Sequence, residues 1–198
     1  MQQETVDKET SEEVTTRQLR EELDQERTIG RQRQIVTNTI FILITVAAAA
    51  VLIATLALPI FHIYGKSMAP TLNEGDLILS VKGEDMKTGD LIAFYYNNKI
   101  LIKRVIANSG DWVNIDESGN VFVNDQMIQE PYLQKKSKGI CSIKLPYQVP
   151  DGKVFVMGDN RDISIDSRSK EIGCIAGEQI AGRLELRIWP LGKMGFVR

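Results

Sequence analysis

The stretch Tyr64-Gly65-Lys66-Ser67-Met68-Ala69-Pro70-Thr71-Leu72 sets a serine between a glycine and a proline. Ser67 is either a loop hydroxyl or a nucleophile, and a nucleophile needs a base. The chain has one histidine, His62, and two cysteines, Cys141 and Cys174. His62 follows directly on a long apolar run and reads as an interfacial side chain, not as a base. Neither cysteine has a histidine partner, and no HExxH or clustered His/Cys set offers a metal site. That leaves a lysine or a carboxylate. A lysine serves as base only when neutral, which requires burial or nearby positive charge. Lys66, Lys82, Lys87, Lys99, Lys135, Lys136 and Lys138 sit beside turns or charges. Lys103 lies inside ILIKRVIA, where a period of two puts it on one face with Leu101 and Val105. Such a lysine either snorkels from an edge strand or is a buried amine. A third stretch, GDNRDISIDSR from Gly158 to Arg168, follows the apolar run Val154–Met157. Within it Asp166 and Arg168 can pair, and Asp159 and Asn160 can bond their own backbone. Such a loop is rigid enough to orient a side chain.

The elements that must position these residues divide the 198-residue chain into three parts. Residues 1–34 are almost all polar and read as a tail, helical or disordered, without chemistry of its own. Residues 35–61 carry no charge. A bilayer-spanning helix needs about 20 such residues. The run is longer than the roughly 7–15 residues of a cleaved signal peptide core and begins after a long polar segment. It predicts one transmembrane helix over about residues 37–59. Arg17, Arg20, Arg27, Arg31 and Arg33 precede it, and Lys66 is the only close basic residue after it. The positive-inside rule then places the N-terminus in the cytoplasm and residues 62–198 outside.

Residues 62–198 predict a mainly β domain. Apolar and β-branched runs recur between turn signals at Leu77–Val81, Leu91–Tyr96, Ile100–Ala107, Trp112–Ile115, Val121–Val123, Ser142–Leu145, Val154–Met157 and Gln179–Trp189. Asn97-Asn98 is a two-residue hairpin connection that tolerates positive φ, and Glu117–Asn120 links a second hairpin. An outside location permits a Cys141–Cys174 disulfide, but two cysteines alone do not make one. The net charge of −2 and the absence of a basic block argue against a nucleic-acid partner.

Three stretches together resemble the type I signal peptidases, membrane-anchored serine proteases that remove signal peptides from exported proteins. SMAPTL is similar to that family's nucleophile motif, and IKRVI with Gly110-Asp111 to its lysine motif. GDNRDISIDSR is similar to its third motif, and Gly75-Asp76 and Gly89-Asp90 add intervening strand signals. The similarity runs over about residues 35–198, in the same order. It implies a coiled β-sheet catalytic domain on one N-terminal transmembrane helix, in the compact form common in Gram-positive bacteria. It implies Ser67 as nucleophile and Lys103 as general base, with no cofactor. It also implies that Ser164 hydrogen-bonds the lysine amine and that Asp166 and Arg168 hold the loop. Candidate pocket residues are Ile63, Met68, Leu72 and Ile102, for a substrate with small residues in an Ala-x-Ala pattern docked as an added strand. The implied partners are preprotein signal peptides, the lipid bilayer and the export machinery. Two departures stand out. Some members carry a serine two residues before the nucleophile to help bind the oxyanion; here Gly65 leaves that task to the Ser67 backbone N–H. Ala107-Asn108-Ser109-Gly110 also differs from the family's usual turn after the lysine strand. Two other readings remain: a related serine/lysine peptidase of narrow substrate, and a non-catalytic membrane-tethered β binding domain.

Overall fold

The computed structural model of the chain describes residues 32–52, 59–83 and 86–197. The polar tail, apart from its last three residues, lies outside the described residues. The chain divides into two compact units, Met1–Ala54 and Thr55–Arg198.

In the first unit a helix runs from Gln32 to Leu52, 21 residues. At 1.5 Å per residue that is about 31 Å, the thickness of a bilayer core. It starts at Gln32, five residues before the expected 37. Hydropathy bounds an apolar run, whereas the helical hydrogen-bond pattern extends through Gln32, Arg33 and Gln34. The hydroxyls of Thr37, Thr39 and Thr45 each donate to the carbonyl four residues back at 2.8 Å, so these polar groups are satisfied within the helix.

The second unit is built from strands. They are β1 (Ile60–His62), β2 (Leu77–Val81), β3 (Leu91–Tyr96), β4 (Lys99–Ala107), β5 (Trp112–Ile115), β6 (Val121–Val123), β7 (Gln126–Met127), β8 (Tyr147–Gln148), β9 (Lys153–Met157), β10 (Ile175–Ala176), β11 (Ile180–Trp189) and β12 (Gly195–Phe196). The larger sheet has the order β1-β2-β11-β3-β4-β9-β10, with β12 also on β11. The smaller sheet has the order β7-β6-β5-β8. All pairings are antiparallel. Register shifts along β11 and in β4 bend the larger sheet, as bulges do. The β3–β4 hairpin turns at Asn97 and Asn98, both at positive φ, as expected.

β1 takes in Ile60 and Phe61, the end of the apolar run. Ser142–Leu145, expected as a strand, is irregular. Ser142 and Ile143 donate their backbone N–H to the Arg168 carbonyl, which diverts them from any ladder. Cys141 and Cys174 are free thiols, both half-buried.

Three of the Gly-Asp pairs make one device at strand entries. Asp76, Asp90 and Asp111 each accept a hydrogen bond from the backbone N–H three residues back, at 3.0, 2.8 and 2.8 Å. The glycine before each has φ between 85° and 98°, and a strand follows directly. The Asn108–Asp111 bond thus closes the turn whose sequence departs from the family's.

The core near the chemistry gathers Ile63, Met68, Leu72, Ile78, Leu91, Ala93, Leu184 and Val197, with Ile102 packed against it. Burying Leu72 and Ile78 fully is worth about 1.5–3 kcal/mol each. The opposite face of the same strands is apolar too. Ile60, Leu79, Leu186 and Phe196 stand in one register row across β1, β2, β11 and β12. Ile60 and Phe196 are 55% and 74% exposed, and Trp189 beside them is 52% exposed. A solvated antiparallel sheet ordinarily puts polar residues on that side.

Candidate active site

Residues 63–76 form a loop closed on itself. The Ile63 N–H donates to the Asp76 carbonyl, and the Gly75 N–H to the Ile63 carbonyl. Inside it Leu72 N–H bonds the Met68 carbonyl, which puts two apolar side chains on one side of a single turn. Both are buried in the core, at 2% and 0% exposure. Ser67, next to Met68, is left half-exposed. Its Oγ is hydrogen-bonded to Lys103 Nζ at 2.8 Å, across 36 positions of sequence.

Lys103 stands opposite Ile92 on β3. Leu101 and Val105, its expected face-mates, pack together in a cluster with Ile92 and Phe94. The lysine is 3% exposed, so it does not snorkel. Burial pulls its pKa from the ordinary 10.5 to about 8. Asp166 pulls the other way, Arg168 adds to the fall, and Asp159 opposes it. An amine in that range is neutral often enough near neutral pH to accept a proton from a hydroxyl.

The polar loop after β9 packs against this pair. The Asn160 N–H donates to the Ser67 carbonyl at 3.0 Å. Gly158 is a close approach: a Cβ there would lie 2.6 Å from the Ser67 carbonyl oxygen and 2.2 Å from Ser164 Oγ. Asp166 and Arg168 pair at 2.8 Å with both side chains fully buried. Asp166 also accepts from the Gly158 N–H at 3.0 Å, and Arg168 donates to the Lys138 carbonyl at 2.8 Å. Ser164 is fully buried and, among the described residues, its Oγ has no hydrogen-bond partner. The Ser164–Lys103 bond that the resemblance implies is therefore not formed in this state.

Asp159 departs from the expectation that it would bond its own backbone. Arg104 grips it with two hydrogen bonds, at 2.9 and 2.7 Å, and Thr71 Oγ1 donates to it at 2.5 Å. One carboxylate thus ties together the serine segment, the lysine strand and the polar loop.

A family model described as signal peptidase, peptidase S26, matches residues 35–189. This chain belongs to the signal peptidase family. It is similar to a signal peptidase I U of Bacillus subtilis (strain 168), 32% identical over 179 residues that cover 84% of this chain and 95% of that protein. It is also similar to a signal peptidase I of Bacillus caldolyticus, 34% identical over 167 residues, 75% of this chain and 90% of that one. A solved signal peptidase I from Enterococcus faecalis V583 overlaps 50% of this chain and 97% of its own, at 26% identity and a TM-score of 0.44.

As a signal peptidase the protein is a serine endopeptidase acting on the signal peptides of preproteins, and the Gln32–Leu52 helix is consistent with a membrane anchor. The structure brings Ser67, Lys103, Asp166 and Arg168 into one cluster, with Ser164 at its edge against Gly158. A groove of about 610 Å³ opens beside Ser67 and Lys103, bordered by β1 and the first half of β4. Ile63, Met68 and Ile102 line it; Leu72, also a candidate pocket residue, does not, being wholly enclosed in the core. His62 lines it as well, with its ring edge-on to Tyr64 at 4.4 Å. Both bordering edges are open among the described residues. β1 pairs only with β2, and β4 pairs with β9 only from Arg104 onward.

Arg104, Thr71, Asp159, Gly158 and Arg161 all lie inside the quoted stretches, yet sequence alone points to no chemical role for them. An arginine beside the lysine within an apolar strand was the available signal, because buried guanidinium requires an acid. Which acid it requires is not readable, since Asp159 is 55 positions away. Glu130 and Tyr132 lie outside every stretch. Glu130 forms a buried pair with Arg161, and the Tyr132 ring lies 3.9 Å from the Arg104 guanidinium carbon.

Proposed function

We propose that this signal peptidase cleaves preproteins after small residues of an Ala-x-Ala type by a serine/lysine mechanism. The 2.8 Å contact between Ser67 Oγ and Lys103 Nζ carries the reading. Neutral Lys103 takes the proton of Ser67 as its Oγ attacks the scissile carbonyl. The developing oxyanion is held by the Ser67 backbone N–H. Lys103 then gives that proton to the departing amine, leaving an acyl group on Ser67. A water gives its proton to Lys103 and attacks the ester, and the proton returns to Ser67 as the acid product leaves. Asp166 and Arg168 fix the loop beside the lysine. Ser164, whose hydroxyl has no partner among the described residues, is poised to bond the amine when the lysine moves to its second task.

The substrate lies extended in the groove and adds a strand between the open edges of β1 and β4. Ile63, Met68 and Ile102 form shallow apolar pockets that exclude larger side chains. The apolar helix anchors the chain in the cell membrane, N-terminus in the cytoplasm and residues 62–198 outside, where preproteins emerge from the export machinery. The apolar row of Ile60, Leu79, Leu186 and Phe196, exposed at its two ends Ile60 and Phe196, supports a bilayer partner, since it presents to water what lipid would accept.

The test uses the purified full chain and a preprotein substrate. Ser67→Ala and Lys103→Ala should each lower kcat by about 10⁴-fold or more while the domain stays folded. Appreciable turnover in either variant would end this reading.

A further inference from the structure

Between β7 and β8 the chain runs through residues 128–146 without a strand. Irregular as it is, this strap touches all three buried arginines of the site. Tyr132 lays its ring against Arg104, Glu130 pairs with Arg161, and the Lys138 carbonyl receives Arg168. The Tyr132 hydroxyl donates to Glu130 Oε1 at 3.1 Å, joining two of these contacts. The three arginines in turn hold Asp159, the Gly158 carbonyl and Asp166.

We propose that Tyr132 is a positioning residue for peptide cleavage, acting through Arg104 on the Ser67–Lys103 pair. Arg104 is the neighbour of Lys103 in β4 and anchors β4 to the Gly89 carbonyl at 2.8 Å. It also fixes Asp159, and Asp159 fixes Thr71, four residues beyond Ser67. A guanidinium donates only in its own plane, so its rotation would move Asp159 and both segments tied to it. The Tyr132 ring, 3.9 Å from the guanidinium carbon, adds to the hold of these hydrogen bonds against rotation and attracts the cation while doing so. An aliphatic side chain fills space but supplies neither the flat wall nor the attraction.

A pH signature follows. The groups around Lys103 are Ser67 from its loop, the apolar Ile92 from β3, Arg104 from its own strand, and Asp159, Asp166 and Arg168 from the polar loop. A slackened Arg104–Asp159 pair leaves more of the Asp159 charge acting on Lys103. That raises the amine's pKa and moves the rise of rate to higher pH.

The proposal rests on Lys103 as base, and the experiment separates the two ideas. The full chain is assayed on a preprotein substrate across pH as wild type, Tyr132→Leu and Tyr132→Phe. Tyr132→Leu should lose about tenfold in kcat with the rising limb displaced upward in pH. Its KM should stay within about twofold. Tyr132→Phe keeps the ring and should retain kcat within about twofold of wild type. An unmoved limb in Tyr132→Leu, or an equal loss in Tyr132→Phe, overturns the role assigned to the ring. A fall in kcat that only follows a fall in folded protein also overturns it. If the wild type shows no limb near pH 8, the lysine reading itself fails, whatever the variants do.

Discussion

Two segments face each other across the Ser67–Lys103 contact, and they are held in opposite ways. In residues 64–67 Tyr64, Gly65 and Lys66 are exposed and Ser67 is half-exposed. In residues 158–169 Asp159, Arg161, Ser164, Asp166, Ser167 and Arg168 are at most 2% exposed. The first is pinned by backbone bonds to Ala69 and Asn160 and by the buried apolar side chains that flank it, Ile63 and Met68, the second by buried charges paired with one another. The difference is what the proposed serine/lysine reaction would require. In that reading a long substrate reaches Ser67 from the open side, and the buried side keeps Lys103 partly neutral, its charges paired with one another rather than with the amine. Buried ion pairs of this kind are poor stabilisers compared with apolar side chains. Their gain here is fixed position.

The sharpest way to break this contrast is Arg168→Met. Asp166 would remain in the interior with backbone donors but without its hydrogen-bonded cation, and losing one partner of such a pair costs about 3–5 kcal/mol. Urea unfolding should show that loss, and cleavage should fall with it. Lys66→Met, on the open side, should stay within about 0.5 kcal/mol of wild type. Similar values for the two variants would erase the distinction between the segments.

Lys103 sits on the border, and its effect on stability should run against its effect on activity. Its folded pKa of about 8 lies below the ordinary 10.5. Between these values the unfolded chain binds more protons than the folded one, so stability rises with pH across that window. Below about pH 8 the folded state carries a charged, dehydrated amine and is at its weakest. Replacing it by Met should add up to about 3 kcal/mol at pH 7, remove the rise between pH 8 and 10.5, and abolish cleavage. The cleavage rate of the wild type should climb through about pH 8, as the amine becomes able to accept a proton. A stability curve already flat in the wild type would mean that Lys103 is hydrated, and the dry side of the comparison would not exist.

The sequence made the long strands readable because period-two runs with clear turns, such as Leu77–Val81 and Leu91–Tyr96, become strands with those bounds. β7, β8, β10 and β12, each two residues long, have no period to detect. They exist because a neighbouring strand offers an edge. Four Gly-Asp pairs look alike in sequence. Three are strand-entry turns, whereas Asp159 turns its carboxylate to Arg104 and Thr71. Local chemistry predicted the pairing of Asp166 with Arg168, two residues apart. It could not predict partners 55 and 88 positions away. Lys103 was legible as a candidate because a lone cation in an apolar strand conflicts with its surroundings. Tyr132 was not, since an aromatic in a polar loop conflicts with nothing.

The smallest expected effect belongs to the most open point, Gly65. Its φ is +82°, a left-handed conformation, yet a Cβ built there meets no atom of the described residues within 4 Å beyond its chain neighbours. Space is therefore not what keeps a side chain out; the backbone angle is. Gly65→Ser should cost about 1 kcal/mol of stability through that angle alone. The hydroxyl would stand two residues before Ser67, the position at which the resemblance to signal peptidases implies an oxyanion donor in some members. A donor in a site built to use it is worth about 10²–10³ in kcat. In this chain the loop is shaped around a left-handed residue in open space, and a serine forced into that angle is not packed so as to aim its hydroxyl. The expected kcat therefore stays within about threefold of wild type, far below what a working donor supplies. Single-turnover measurement on a preprotein decides it. A rise of a hundredfold would show that the open side also stabilises charge, and the division between an open face that admits substrate and a dry face that tunes the base would have to be redrawn.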